Sequence, residues 1–261
     1  MTKLDPAERS RRGAATQSEV TGAPAPEPTT LLDGSWRDFV YAEVWTRPGL
    51  DRRSRYLIAM STAACTNGPK DALDGYVRGA LTQGALTLAE LREAALHLAV
   101  YAGWSRGGEL DAAISRVVAK LGLPPAEVPP IRGEAWDPAV RLQEGAKAFE
   151  KVMTFPGPPP VVAYFDAGIL NFVFGEMWNR PGLDERARRF VTLVGVAEST
   201  TDIPIRSHFH AAMASGNCTA GELHEFVLQY AIHAGWPKAS VVQGVVFEMA
   251  QKVAEGRPFG G

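Results

Sequence analysis

Apolar residues recur along this chain at helical spacing. Between Arg186 and Ser199 they fall at 190, 191, 193, 194 and 197, and in the next helical stretch Phe226, Val227, Tyr230 and Ala231 share one face. Beyond Pro237 the same stripe runs through Val241, Val242, Val245, Val246 and Met249. Each set lines one side of a 3.6-residue turn. The punctuation agrees with the stripes. Asp184 is placed to cap the first helix, and Thr201-Asp202 with Pro204 opens a second that Gly216 ends. Thr219 with Glu222 forms a capping box for a third that Gly235 stops, and Pro237 opens the last. No stretch alternates as a half-buried strand would, so the pattern predicts an all-α fold.

The chain also repeats itself. Glu43-Val-Trp-Thr-Arg-Pro-Gly-Leu-Asp51 returns as Glu176-Met-Trp-Asn-Arg-Pro-Gly-Leu-Asp184, and Tyr101-Ala-Gly-Trp104 as His233-Ala-Gly-Trp236. The offset is 133 in the first case and 132 in the second, with Glu93 answering Glu225 on the way. Two homologous helical bundles follow, over 35–122 and 163–261. Residues 1–34 hold almost no bulky apolar side chains and are expected to be a disordered tail. The connector 123–162 is rich in proline, with room for one helix between Asp137 and Val152.

Composition narrows the function classes. A net charge of −2 gives no basic field for nucleic acid, and no apolar run reaches the roughly 20 residues that span a bilayer. Cys65 and Cys218 form no Cys-x-x-Cys, and no signal-peptide pattern opens the chain, so a cytoplasmic location is expected.

The run Trp-x-Arg-Pro-Gly-Leu-Asp-x-Arg-x-Arg, a histidine eight positions before a glycine, Thr-x-x-Glu-Leu and His-Ala-Gly-Trp-Pro-Lys-Ala resembles the carboxymuconolactone decarboxylase family, within the alkylhydroperoxidase D-like superfamily. The second half carries more of this pattern, with Arg186, Arg188, His208, Gly216, Glu222, Glu225, Gly235, Pro237 and Ala239 in register. The resemblance implies two tandem helical-bundle repeats of the alkylhydroperoxidase D-like type and a homo-oligomer, a trimer of two-repeat chains. It implies a cofactor-independent, carboxy-lyase-like enzyme acting on a small cyclic or aromatic-derived carbonyl or carboxylate compound, by decarboxylation, isomerisation or lactone opening. Peroxidase chemistry needs the absent cysteine pair and is disfavoured.

Four of the five histidines stand between Asp202 and Trp236. His208 takes the position of the family's active-site histidine, and its counterpart in the first half is Tyr76, so the first half reads as a degenerate site. Glu198, whose counterpart is Cys65, precedes the helix break at Asp202 by about one turn, and a helix hairpin would set it beside His208. The expected catalytic pair is therefore His208 and Glu198. His210, two positions on, points away from His208 and is expected at the surface or a subunit contact. Arg188 is a candidate clamp for a substrate carboxylate, with an Asp184–Arg188 pair as the plainer reading. His233, Trp178 and Trp236 are expected to line the substrate pocket. No metal site and no cofactor are expected, the histidine spacing being unsuited to joint ligation. The competing class is a non-catalytic oligomeric scaffold or small-molecule-binding protein.

Overall fold

A computed structural model describes residues 5–66, 68, 70–127 and 129–260. In chain order the α-helices are α1 (Pro6–Thr21), α2 (Leu31–Ser35), α3 (Arg52–Cys65), α4 (Lys70–Thr82), α5 (Leu88–Ala102), α6 (Trp104–Leu121), α7 (Pro138–Met153), α8 (Glu185–Ser199), α9 (Asp202–Ala214), α10 (Ala220–Ala234) and α11 (Trp236–Ala254). Two π-helices, Trp36–Val44 and Tyr164–Phe174, precede α3 and α8, and a short 3-10 turn spans Met177–Asn179. No strand occurs among the described residues.

The N-terminal segment departs from its expected disorder. Its first four residues lie outside the described residues, but α1 is a capped helix that begins at Asp5-Pro6, as α7 begins at Asp137-Pro138. Each Asp side chain accepts backbone N–H bonds of the first turn, and each proline sits where no N–H is needed. What α1 lacks in apolar bulk it replaces by closeness. A Cβ on Gly13 would collide with the Arg37 carbonyl, and one on Gly145 with the Leu170 carbonyl, so each helix crosses a π-helix backbone at a bare glycine. The connector helix α7 is thus the counterpart of α1. Each repeat is one helix longer at its N-terminal end than the sequence pattern indicates.

The Arg-Pro-Gly-Leu-Asp motif holds the halves together. Arg47 and Arg55 of the first half both donate to Glu225 on α10, while Arg180 and Arg188 of the second both donate to Glu93 on α5. Gly49 lies against the Glu225 side chain, where a Cβ would come within 2.8 Å of its Cγ. Gly182 lies in the same way against Glu93 at a positive φ of 88°, which glycine tolerates best. Asp51 and Asp184 then cap α3 and α8. Leu50 and Ile58 enter the second core, and Leu183, Ala187 and Val191 enter the first. As a consequence α5 packs on α8 and α10 on α3, so each half contributes one helix to the other's interior.

Candidate active site

Two cavities occupy corresponding places in the halves. The one beside α9 has a volume of about 360 Å3, the one beside α4 about 640 Å3. Each is bordered by a π-helix, whose wider turn is marked by Trp45 N–H bonding to the Val40 carbonyl and Gly175 N–H to that of Leu170.

His208 borders the smaller cavity. It is 8% exposed, and its Nδ1 is enclosed without a hydrogen-bond partner. Its neighbour across the cavity wall is Tyr101, which arrives on α5 from the first half, with the rings edge to face and their centroids 5.3 Å apart. Trp178 Nε1 donates to Tyr101 Oη at 2.7 Å, which leaves the phenol's own proton available for donation. His97 completes the aromatic group, edge-on to Trp178 at 5.0 Å, with its Nε2 2.9 Å from Thr192 Oγ1.

Beneath these rings lies Arg189, fully buried. Its guanidinium carbon is 4.9 Å from the Trp178 ring centre, its Nε donates to Asn217 Oδ1 and its Nη2 to the Val152 carbonyl, and its Nη1 has no partner. Its hydrogen-bond partners are neutral and no carboxylate among the described residues pairs with it directly, Glu185 acting on it only through Asn217 and at longer range. A buried cation without a counter-charge is costly unless an anion is close in some working state. The neighbours register it. Burial, and then Arg189, push His208 down to about 3, so the ring is neutral at rest. Burial pushes the Tyr101 phenol up to about 12, keeping its proton on.

Of the residues singled out from sequence, only His208 and Trp178 meet here. Glu198 faces away from His208. Its carboxylate accepts from Tyr230 Oη at 2.6 Å and Lys238 Nζ at 3.0 Å, because the side chain leaves α8 toward α10 and α11 rather than across the α8–α9 hairpin. Arg188 is no substrate clamp and does not pair with Asp184. It is 1% exposed, bound to Glu93 and to the Leu183 and Arg180 carbonyls, while Asp184 pairs with Arg53. Trp236 is 56% exposed and packs on Phe39 of the first π-helix, as Trp104 stacks on Phe172 of the second. His210 is buried, its Nε2 2.8 Å from the Arg257 carbonyl. His233 lines the other cavity, since α10 crosses into the first half.

Three residues of this cluster escaped the sequence reading. Arg189 interrupts the buried stripe of α8 and answers Tyr56 of the first half. Both donate to the last-turn carbonyl of the preceding helix, Tyr56 to Val20 and Arg189 to Val152, so the second half keeps the bond and adds a charge. Tyr101 and His97 were invisible as site residues because α5 changes halves.

Residues 32–113 match the model of the carboxymuconolactone decarboxylase family. That stretch of the chain is similar to the family. The matched stretch lies in the first half, although the second carries more of the motif residues. It contains the Arg47–Asp51 motif and the Thr87–Glu90 capping box but has Tyr76 where the second half has His208. Within it the architecture is kept without the imidazole. A 4-carboxymuconolactone decarboxylase of Acinetobacter baylyi is 33% identical over 85 residues, covering 33% of this chain and 63% of that protein. A nitrosuccinic acid decarboxylase of Metarhizium robertsii is 41% identical over 68 residues, covering 25% of this chain and 45% of that protein. The chain thus spans less than two thirds of the length of either relative.

Proposed function

We propose that the protein is a cofactor-independent decarboxylase-type enzyme acting on a small unsaturated carboxylate, with His208 as its proton-transfer group. The observation that carries this reading is a cavity bordered by an imidazole and a phenol with a free proton, with a guanidinium that no carboxylate pairs buried beneath the same aromatic group. The cavity's volume suits a small molecule. The names of both relatives, each a decarboxylase, support the same reaction class.

In the proposed step the bond between the carboxylate carbon and its neighbour breaks, and its electron pair moves into the conjugated carbonyl as carbon dioxide leaves. The new oxyanion accepts the Tyr101 proton as a hydrogen bond and lies in the field of Arg189. The carbon end of the anion takes a proton from His208. That ring rests neutral, so it must first be charged, and an anion enclosed beside it opposes the pressure of Arg189 and lets it take a proton from solvent. Thiol chemistry has no support here, because burial pushes both Cys65 and Cys218 up to about 12.

The test is carbon dioxide release from a panel of lactone carboxylates and nitro-substituted carboxylates by the intact protein and by His208→Gln. Release that falls with the substitution supports the reading. No release from any member, with binding retained, would favour a small-molecule-binding protein.

A further inference from the structure

The first-half cavity is the larger of the two and carries its own polar equipment. Gln17, Thr21, Trp36 and Tyr41 stand in it where Phe149, Met153, Ile169 and Phe174 stand in the other. Its imidazole arrives from the opposite half. His233 Nε2 lies 3.2 Å from Tyr76 Oη, and the ring stands edge-on to Trp36 and Tyr76 with centroids 5.4 and 5.6 Å away. Tyr76 answers His208 and His233 answers Tyr101, so the same pair of groups recurs with the helices that carry them exchanged, His233 bordering the first-half cavity and Tyr76 buried behind it. The cation is replaced in the same manner. Arg78 on α4 borders this cavity, donating its Nε to the Thr21 carbonyl at 2.7 Å, whereas its counterpart His210 has no such place in the second half. The first half therefore lost the histidine of its own helix without losing an imidazole, a phenol or a guanidinium.

We propose that this cavity is a second small-molecule site, which takes a planar aromatic or unsaturated monocarboxylate with its carboxylate on Arg78 and its ring against Trp36 and His233. A guanidinium matches a carboxylate in shape and charge, and flat apolar walls match a conjugated ring. Asp33 does not compete for Arg78, since its carboxylate already accepts from Thr29 N–H, Thr29 Oγ1 and Thr30 N–H. Asp71, exposed and also bordering the cavity, disfavours a second negative charge on the ligand. None of these residues takes part in the His208 chemistry, so the two proposals stand or fall separately.

Benzoate is the probe, with the histidine ring signals of the full chain followed by NMR. Expected is a saturable shift at His233, binding about tenfold or more weaker for the uncharged benzamide, and loss of that preference in Arg78→Gln. His208→Gln leaves the His233 response in place. Ala72→Leu narrows the cavity without removing a charge and weakens the response to both probes, which keeps the test decisive where Arg78→Gln fails to fold. An unshifted His233, or a benzoate response that persists undiminished in Arg78→Gln or Ala72→Leu, overturns the proposal.

Discussion

Replacing Glu93 by Ala tests the clasp between the halves. Glu93 accepts Arg180 Nε at 3.1 and 3.0 Å, Arg180 Nη2 at 2.5 Å and Arg188 Nη2 at 3.3 Å. The two arginine side chains are only 5% and 1% exposed, so its removal leaves two buried charges without a counter-ion. Breaking a buried pair in this way costs about 3–5 kcal/mol. At about 2–4 °C per kcal/mol for a chain of this size, the unfolding midpoint falls by roughly 6–20 °C. Glu225→Ala is the internal comparison. It strands Arg55 at 1% exposure, but Arg47 is 50% exposed and returns to solvent, so the expected loss is about half as large. The assay is thermal unfolding by circular dichroism on both variants and the parent. The order of the two losses is the sharper test. An Ala variant at 93 within about 0.5 kcal/mol of the parent, or less damaging than the one at 225, would refute the reasoning. The loss also reaches the site, because Tyr101 lies two turns beyond Glu93 on α5.

Acid should weaken the fold before its carboxylates titrate. Burial holds His208 at about 3, His233 at about 4 and His97 well below 6.5, so the unfolded chain takes up these protons first. Stability is intact above the unfolded value near 6.5 and falls as pH drops from there, by about 2 kcal/mol at about pH 5 for His208 alone. Denaturant midpoints between pH 7 and 5 check this, and a flat profile contradicts it. Glu225 adds to the loss only lower down. Burial raises its pKa, but the bonds from Arg47 and Arg55 outweigh burial and hold it below the usual carboxylate range. Gly145→Ala, which would stabilise an open helix by about 0.5–1 kcal/mol, should here destabilise by about 1–3 kcal/mol, since its Cβ meets the Leu170 carbonyl. A raised unfolding midpoint would contradict that close crossing. Arg189→Met should raise the His208 pKa toward its ordinary value, read from ring NMR signals against pH, and no upward movement would mean that Arg189 does not act on the ring.

Much of the fold was legible because it is written in local signals. The capping box at Thr219–Glu222 and the glycine stop at 235 are short-range devices, and the structure has them where the sequence puts them, with the same pair in the first half at Thr87–Glu90 and Gly103. Helix α1 escaped because its contact is a glycine against a backbone, which no count of apolar residues detects. The site was half legible. The sequence repeat sets His208 against Tyr76 and Tyr101 against His233, but taken within each half the first difference reads as a lost histidine and the second as one gained beside His208. Only the crossing of α5 and α10 shows that the four residues form two mixed pairs. Glu198 misled for a related reason. Proximity along a hairpin says nothing about which side of α8 a residue occupies, and Glu198 lies on the side facing Tyr230 and Lys238. Arg189 was legible in principle, as a charge standing on a stripe that its neighbours Phe190, Leu193 and Val196 mark as buried.

The most direct measurement is the turnover number of His208→Gln on a carboxylate that the parent protein decarboxylates, taken together with its unfolding midpoint. Proton transfer by a placed imidazole is worth about 10²–10⁴ in rate, so turnover should fall by that factor while the Michaelis constant and the midpoint stay near those of the parent. Unchanged turnover in a folded His208→Gln protein would contradict the account.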